Sequence, residues 1–67
     1  MMNLVVGGKG HEHAGDGTML SLLREIGADP DHVAILLNDE VVLRASLEET
    51  TLSENDRIEI LVLAAGG

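Results

Sequence analysis

What most limits the fold of this chain is a short amphipathic stretch with only one face to bury. Met19, Leu22, Leu23 and Ile26 recur at i, i+3, i+4 and i+7, and Leu20 widens the same stripe. Thr18 stands at the N-cap position and Gly27 at the stop, which predicts a helix whose Ser21, Arg24 and Glu25 face solvent. A helix of about two turns is not stable alone in water. Its single stripe needs a sheet to pack on, and the rest of the chain must supply the strands.

Those strands can be read on both sides of the helix. Asn3-Leu4-Val5-Val6 is short and apolar, Gly7-Gly8 suits a tight hairpin turn, and Lys9 to Ala14 would return antiparallel. Because Gly10-His11-Glu12-His13-Ala14 is nearly all polar, this return strand is expected at a sheet edge with little burial. Asp29-Pro30 could open a second helix, but Asn38-Asp39 is a favoured two-residue hairpin turn. Val33 to Leu37 and Val41-Val42-Leu43 are therefore read as a second hairpin. Ala45 to Asn55 is a polar connection with isolated Leu47 and Leu52 and room for one helical turn, closed by Asp56. In the final strand Ile58, Ile60 and Val62 alternate with Glu59, Leu61 and Leu63. The first set is expected on the helix. Leu61, Leu63 and, from the second hairpin, Leu36 fall on the opposite face, where they would form a docking patch if contiguous.

Composition narrows the function classes. At 67 residues the chain has room for one domain and none for an enzyme cleft, and an apolar content of 45%, all aliphatic, methionine and alanine, argues for a folded domain. The absence of cysteine removes disulfides, thiolate metal sites and a catalytic thiol, and suits a reducing cytoplasm. The apolar runs are too short to span a membrane, and Met1-Met2-Asn3 lacks the features of a signal peptide, so a cytoplasmic location is expected. A net charge of −8 disfavours nucleic acid and anionic membrane surfaces as partners and would suit a basic docking surface. His11 and His13 would share one face of an edge strand, where a surface metal site is conceivable, but two histidines without a third ligand more often are solvated edge residues. His32 lies in a separate loop, so no metal site is expected. Glu48-Glu49 and the other carboxylates have no partner base or nucleophile, and the chain is not expected to be an enzyme.

The candidate working end is the run Ala64-Ala65-Gly66-Gly67, which follows directly on the final strand. Side chains this small would let the segment thread a narrow slot. Four extended residues reach roughly 13 Å, enough to carry a terminal carboxylate into a partner's active site. The expectation is a domain over residues 1–63 with a flexible carrier tail over 64–67. A loose terminus is the plain alternative.

Two hairpins around one helix, with a last strand pairing between them, describe the β-grasp arrangement of ubiquitin-like proteins, an α+β fold with a mixed sheet of four to five strands packed on one helix. Over its whole length the chain resembles the ThiS family of sulfur carriers. The stretches that carry the resemblance are Met2 to Lys9, Gly17 to Leu23, Leu37 to Arg44, Asn55 to Ile60 and the ending Ala65-Gly66-Gly67. Gly7-Gly8, Asn38-Asp39 and Leu43 depart from the usual family pattern, each at a turn-compatible or structural position. The resemblance implies a group carrier with no cofactor of its own. A ThiF-like adenylyltransferase would use MgATP to adenylate the Gly67 carboxylate, and a persulfide from a cysteine desulfurase route would displace AMP to leave a thiocarboxylate. The thiazole synthase ThiG would then take the sulfur for thiamine biosynthesis. In this picture Gly66 lets the arm lie flat, Ala64 and Ala65 keep it slim, and Leu36 and Leu61 belong to the face pressed onto the activating enzyme. A carrier for molybdopterin or another pathway, a non-covalent interaction module and a protein modifier remain as alternatives.

Overall fold

The computed structural model describes residues 1–63. Strands β1 (Met2–Val6) and β2 (Lys9–His13) are followed by helix α1 (Met19–Ile26), strands β3 (Val33–Leu37) and β4 (Glu40–Val42), a 3-10 turn at Arg44–Ser46, and strand β5 (Arg57–Val62). The five strands form one sheet in the order β2-β1-β5-β3-β4. Strand β5 runs parallel to β1 and antiparallel to β3, so the last strand lies at the centre and holds the two hairpins together. This mixed sheet on one helix is the expected β-grasp.

Helix α1 begins and ends where the caps predict. The Thr18 hydroxyl accepts the Ser21 N–H at 3.2 Å. The first two helical N–H groups, which have no partner inside a helix, donate instead to the long connection: Met19 to the Thr50 carbonyl at 2.9 Å and Leu20 to that of Leu47 at 3.2 Å. At the other end Gly27 has φ 76°, its N–H bonds the Arg24 carbonyl and the Ala28 N–H bonds that of Leu23. This is the paired ending that favours glycine, because a Cβ is disfavoured in the left-handed region.

Both hairpin turns form as read. Asn38 and Asp39 adopt φ values of 49° and 71°, and Gly7 and Gly8 values of 58° and 80°, the left-handed pairs that match the strand twist. Asn38 also reaches beyond its own hairpin. Its N–H donates to the Arg57 carbonyl at 2.8 Å, its side-chain oxygen accepts the Arg57 N–H at 2.9 Å and its side-chain nitrogen donates to Asp56 at 3.0 Å. The tip of β3-β4 is thereby fastened to the start of β5. Strand β4 is one residue out from the expected span, since pairing runs from Glu40 to Val42 and excludes Leu43.

The core consists of Leu4, Met19, Leu22, Leu23, Ile35, Leu47, Leu52 and Ile58. Three expectations need correction here. Leu47 and Leu52 are not isolated residues of a polar connection. They are buried, because that connection wraps the N-terminal end of α1 and closes the core from the side. Val62 does not pack on the helix as Ile58 does. It pairs with Val33 at the far end of β3, where it stays 82% exposed. Strand β2 is an edge as expected but is not unburied, since His13 is 2% exposed. Pairing puts His11 opposite Leu4 and His13 opposite Met2, and Glu25 of α1 bonds both rings.

Leu22→Ala is expected to lower the urea-unfolding free energy by about 2–5 kcal/mol, most of what a domain this small holds at about 0.05–0.15 kcal/mol per residue. Gly27→Ala should cost about 1 kcal/mol with an unchanged fold by circular dichroism.

Candidate functional site

The sheet face turned away from α1 carries the expected docking residues, and strand register decides which of them adjoin. Directly paired residues point to the same face. Leu36 is opposite Val41 across the second hairpin and opposite Glu59 on β5, and Ala34 is opposite Leu61. Since Ala34 and Leu36 alternate along one strand, Leu61, Ala34, Leu36 and Val41 form a continuous apolar strip across β5, β3 and β4. Leu61 is 52% exposed and Val41 71%, while Leu36 is half-buried. Leu63, 53% exposed, continues the line of β5, its N–H donating to the His32 carbonyl at 2.9 Å. Sequence reading missed Val41 as part of the strip. The two-residue turn at Asn38-Asp39 was the available signal, because it fixes Leu36 opposite Val41.

The strip has a charged border. Glu59 and Arg57 lie on the same face of β5, and Arg57 donates to Asp39 at 3.1 Å. Continuing along β5 leads toward Ala64, Ala65, Gly66 and Gly67, which lie outside the described residues.

The histidines have a different role from either reading considered for them. Glu25 Oε1 accepts from His11 Nε2 at 2.6 Å and from His13 Nδ1 at 3.0 Å, while Oε2 accepts the Ala14 N–H at 2.8 Å. Glu25 is therefore a clasp between α1 and the edge strand, not a helix residue turned to solvent. These bonds, the His11 one foremost, hold its carboxyl down at about 2. No group of three or more metal-ligating side chains suited to an ion occurs among the described residues. His32 bonds Asp29 at 2.7 Å in its own loop. The Asp29 carboxyl is lowered, first by the Asp31 N–H and then by His32, and that of Asp16 is lowered by the Thr18 hydroxyl and N–H. Asp31 in turn pairs with Arg44.

A five-stranded mixed sheet clasping one helix, with an apolar strip on its open face beside the last strand, defines a ubiquitin-like β-grasp protein. The chain belongs to the ThiS family, whose family model matches residues 4–67. The crystal structure of the thiamine biosynthesis protein ThiS from Geobacter metallireducens superimposes with a TM-score of 0.82 at 33% identity, covering 98% of this chain and all of that one. The sulfur carrier protein ThiS of Thermus thermophilus is 34% identical over 50 residues, 75% of this chain and 78% of its own length. A thiazole synthase of Paramagnetospirillum magneticum is 32% identical over 66 residues, 98% of this chain, which spans a fifth of that protein's length.

The clasp sets the acid limb of stability. A carboxyl lowered from 4.5 to about 2 contributes fully above its unfolded value and progressively less as pH falls toward its folded one. Asp16 and Asp29 act in the same direction. Urea midpoints should therefore fall as pH drops from about 5 to about 2.5, and Glu25→Gln should flatten that fall.

Proposed function

We propose that this ThiS-family chain is a sulfur carrier of thiamine biosynthesis whose Gly67 carboxylate is the group that is activated and loaded. The observation that carries the reading is that the family match runs through Gly67 and so includes Gly66-Gly67. A carboxylate is a poor electrophile, since it has no leaving group. A ThiF-like adenylyltransferase supplies one by joining the Gly67 carboxylate to the AMP portion of MgATP, with pyrophosphate released. A persulfide from a cysteine desulfurase route then attacks the carbonyl carbon and AMP leaves. A thiol then attacks the outer sulfur of the resulting S–S bond, forming a disulfide with it and releasing the thiocarboxylate. Activation, ATP and magnesium belong to the partner, and the chain acts as a co-substrate with no bound cofactor.

The acceptor in this reading is a ThiG-type thiazole synthase. Its support is the thiazole synthase relative, which contains a stretch similar to nearly all of this chain. The apolar strip of Leu61, Ala34, Leu36 and Val41, continued by Leu63, is the docking face. It lies beside the strand that leads toward Gly66 and Gly67, so a partner seated on it can receive the tail. Ala64 and Ala65 keep the approach narrow, and Gly66 fits the channel next to the reacting centre.

The test uses protein ending at Gly67, incubated with its host's adenylyltransferase, MgATP and a persulfide donor, and read by intact-mass spectrometry. The expected product is heavier by the exchange of one oxygen for sulfur, and deletion of Gly67 should abolish it with the fold intact. No shift with partner enzymes of proven activity would instead support a non-covalent interaction module. Leu61→Asp should slow adenylation about tenfold or more, by placing a charge in the contact, with little effect on stability because Leu61 is half exposed.

A further inference from the structure

His13 is the one polar side chain buried among the described residues, and both of its ring nitrogens are committed. The Gly17 N–H points at Nε2 from 3.1 Å. A backbone N–H can only donate, so Nε2 must be the unprotonated nitrogen and Nδ1 carries the proton given to Glu25. The ring sits in a tight seat. A Cβ built at Gly15 would lie 2.6 Å from His13 Cε1 and 2.0 Å from Ser21 Oγ, so only glycine lets the loop close over it.

That loop holds more than itself. The Asp16 carboxylate accepts the Thr18 N–H and hydroxyl at 3.0 and 2.7 Å, and the Gly17 carbonyl accepts the Leu52 N–H at 2.7 Å. The His13–Gly17 bond thus ties the edge strand to the helix cap and to the connection that closes the core. The charged or titratable groups around the ring are Glu25 from α1, His11 from β2, Asp16 from the loop, and Glu54 and the amino group of Met1 bordering the adjoining hollow. Strand β1 contributes the uncharged Met2 as the pairing partner of His13.

We propose that His13 is a proton-operated latch on residues 14–17: the neutral ring holds the loop closed through the Gly17 N–H, and protonation releases it while sheet and helix stay folded. A solvent proton taken up at Nε2 occupies the lone pair on which Gly17 depends and sets two N–H groups against each other. The Nδ1 proton stays on Glu25, whose carboxylate remains ionised throughout the range in which a histidine titrates. The cation is therefore still anchored to α1, and the bond on the Gly17 side is the one that gives way.

Nuclear magnetic resonance of the whole protein from about pH 8 to pH 5 tests this, following the ring nitrogens and the backbone amides together. At the upper end His13 Nε2 should show the shift of an unprotonated nitrogen. On acidification the Gly17 amide should move and lose about five- to tenfold of its protection, measured against the intrinsic exchange rate at each pH, as expected for the loss of one hydrogen bond. Its change should follow that of the His13 ring, with Leu22 and Ile58 still protected. His13→Phe should leave Gly17 with that reduced protection at every pH. The latch is overturned if His13 protonates while Gly17 keeps its shift and protection, if His13 stays neutral until the whole domain unfolds, or if Gly17 follows another group. The wild-type titration decides the matter even if the variant does not fold.

Discussion

Burial of one short helix stripe against the sheet is the interaction on which the rest of this molecule depends. Met19, Leu22 and Leu23 are wholly buried, and burial of side chains of this size contributes about 1.5–3 kcal/mol each. The chain lacks aromatic residues and disulfides, so aliphatic packing must be nearly complete to hold so small a domain. The core accordingly draws on every part of the chain: Leu4 from the first hairpin, Ile35 from the second, Leu47 and Leu52 from the connection and Ile58 from the last strand. The polar bonds follow the same plan. The connection that brings in Leu47 and Leu52 also accepts the first N–H groups of α1.

Division of labour between the two sheet faces follows from this. The inner face is spent on stability. The outer face presents Leu61, Ala34, Leu36 and Val41 away from the core, and in the proposed reading changes there affect partners more than folding. Leu36 is half-buried on that outer face, between its paired neighbours on β5 and β4. The family's likeness in fold at about one-third identity, as with the Geobacter metallireducens structure, fits a scaffold in which a few core positions and turn residues do most of the specifying.

Features encoded locally were legible before the structure. The stripe of α1, its Thr18 and Gly27 caps and the Asn38-Asp39 turn each rest on a few adjacent residues, and each forms where expected. Leu36, Leu61 and Leu63 were legible as outward-facing because alternation along a strand fixes the face. Features that depend on what lies across space were not. The polar character of β2 suggested exposure, yet His13 is buried because Glu25, twelve residues on, neutralises the cost of bringing an imidazole inside. Val62 has the phase of a core residue but lies past the end of the cover, and phase alone carries no information about how far a helix reaches. Leu47 and Leu52 looked isolated because an irregular connection has no period to reveal its inner side. The role proposed for residues 64–67 depends on chemistry that a partner would do, which the folded domain's own contacts do not record.

The central position of β5 has a mechanical consequence. It is gripped on one side by β1, running in the same direction, and on the other by β3, running in the opposite direction. A pull applied at its C-terminal end is directed along the strand, so these hydrogen bonds are loaded together in shear instead of being peeled open one by one. Asn38 adds side-chain bonds at the strand's opposite end, bracing the point from which such a pull is resisted. A load taken at that end of β5 is therefore shared across the sheet, and the domain behind the strand resists it as one body.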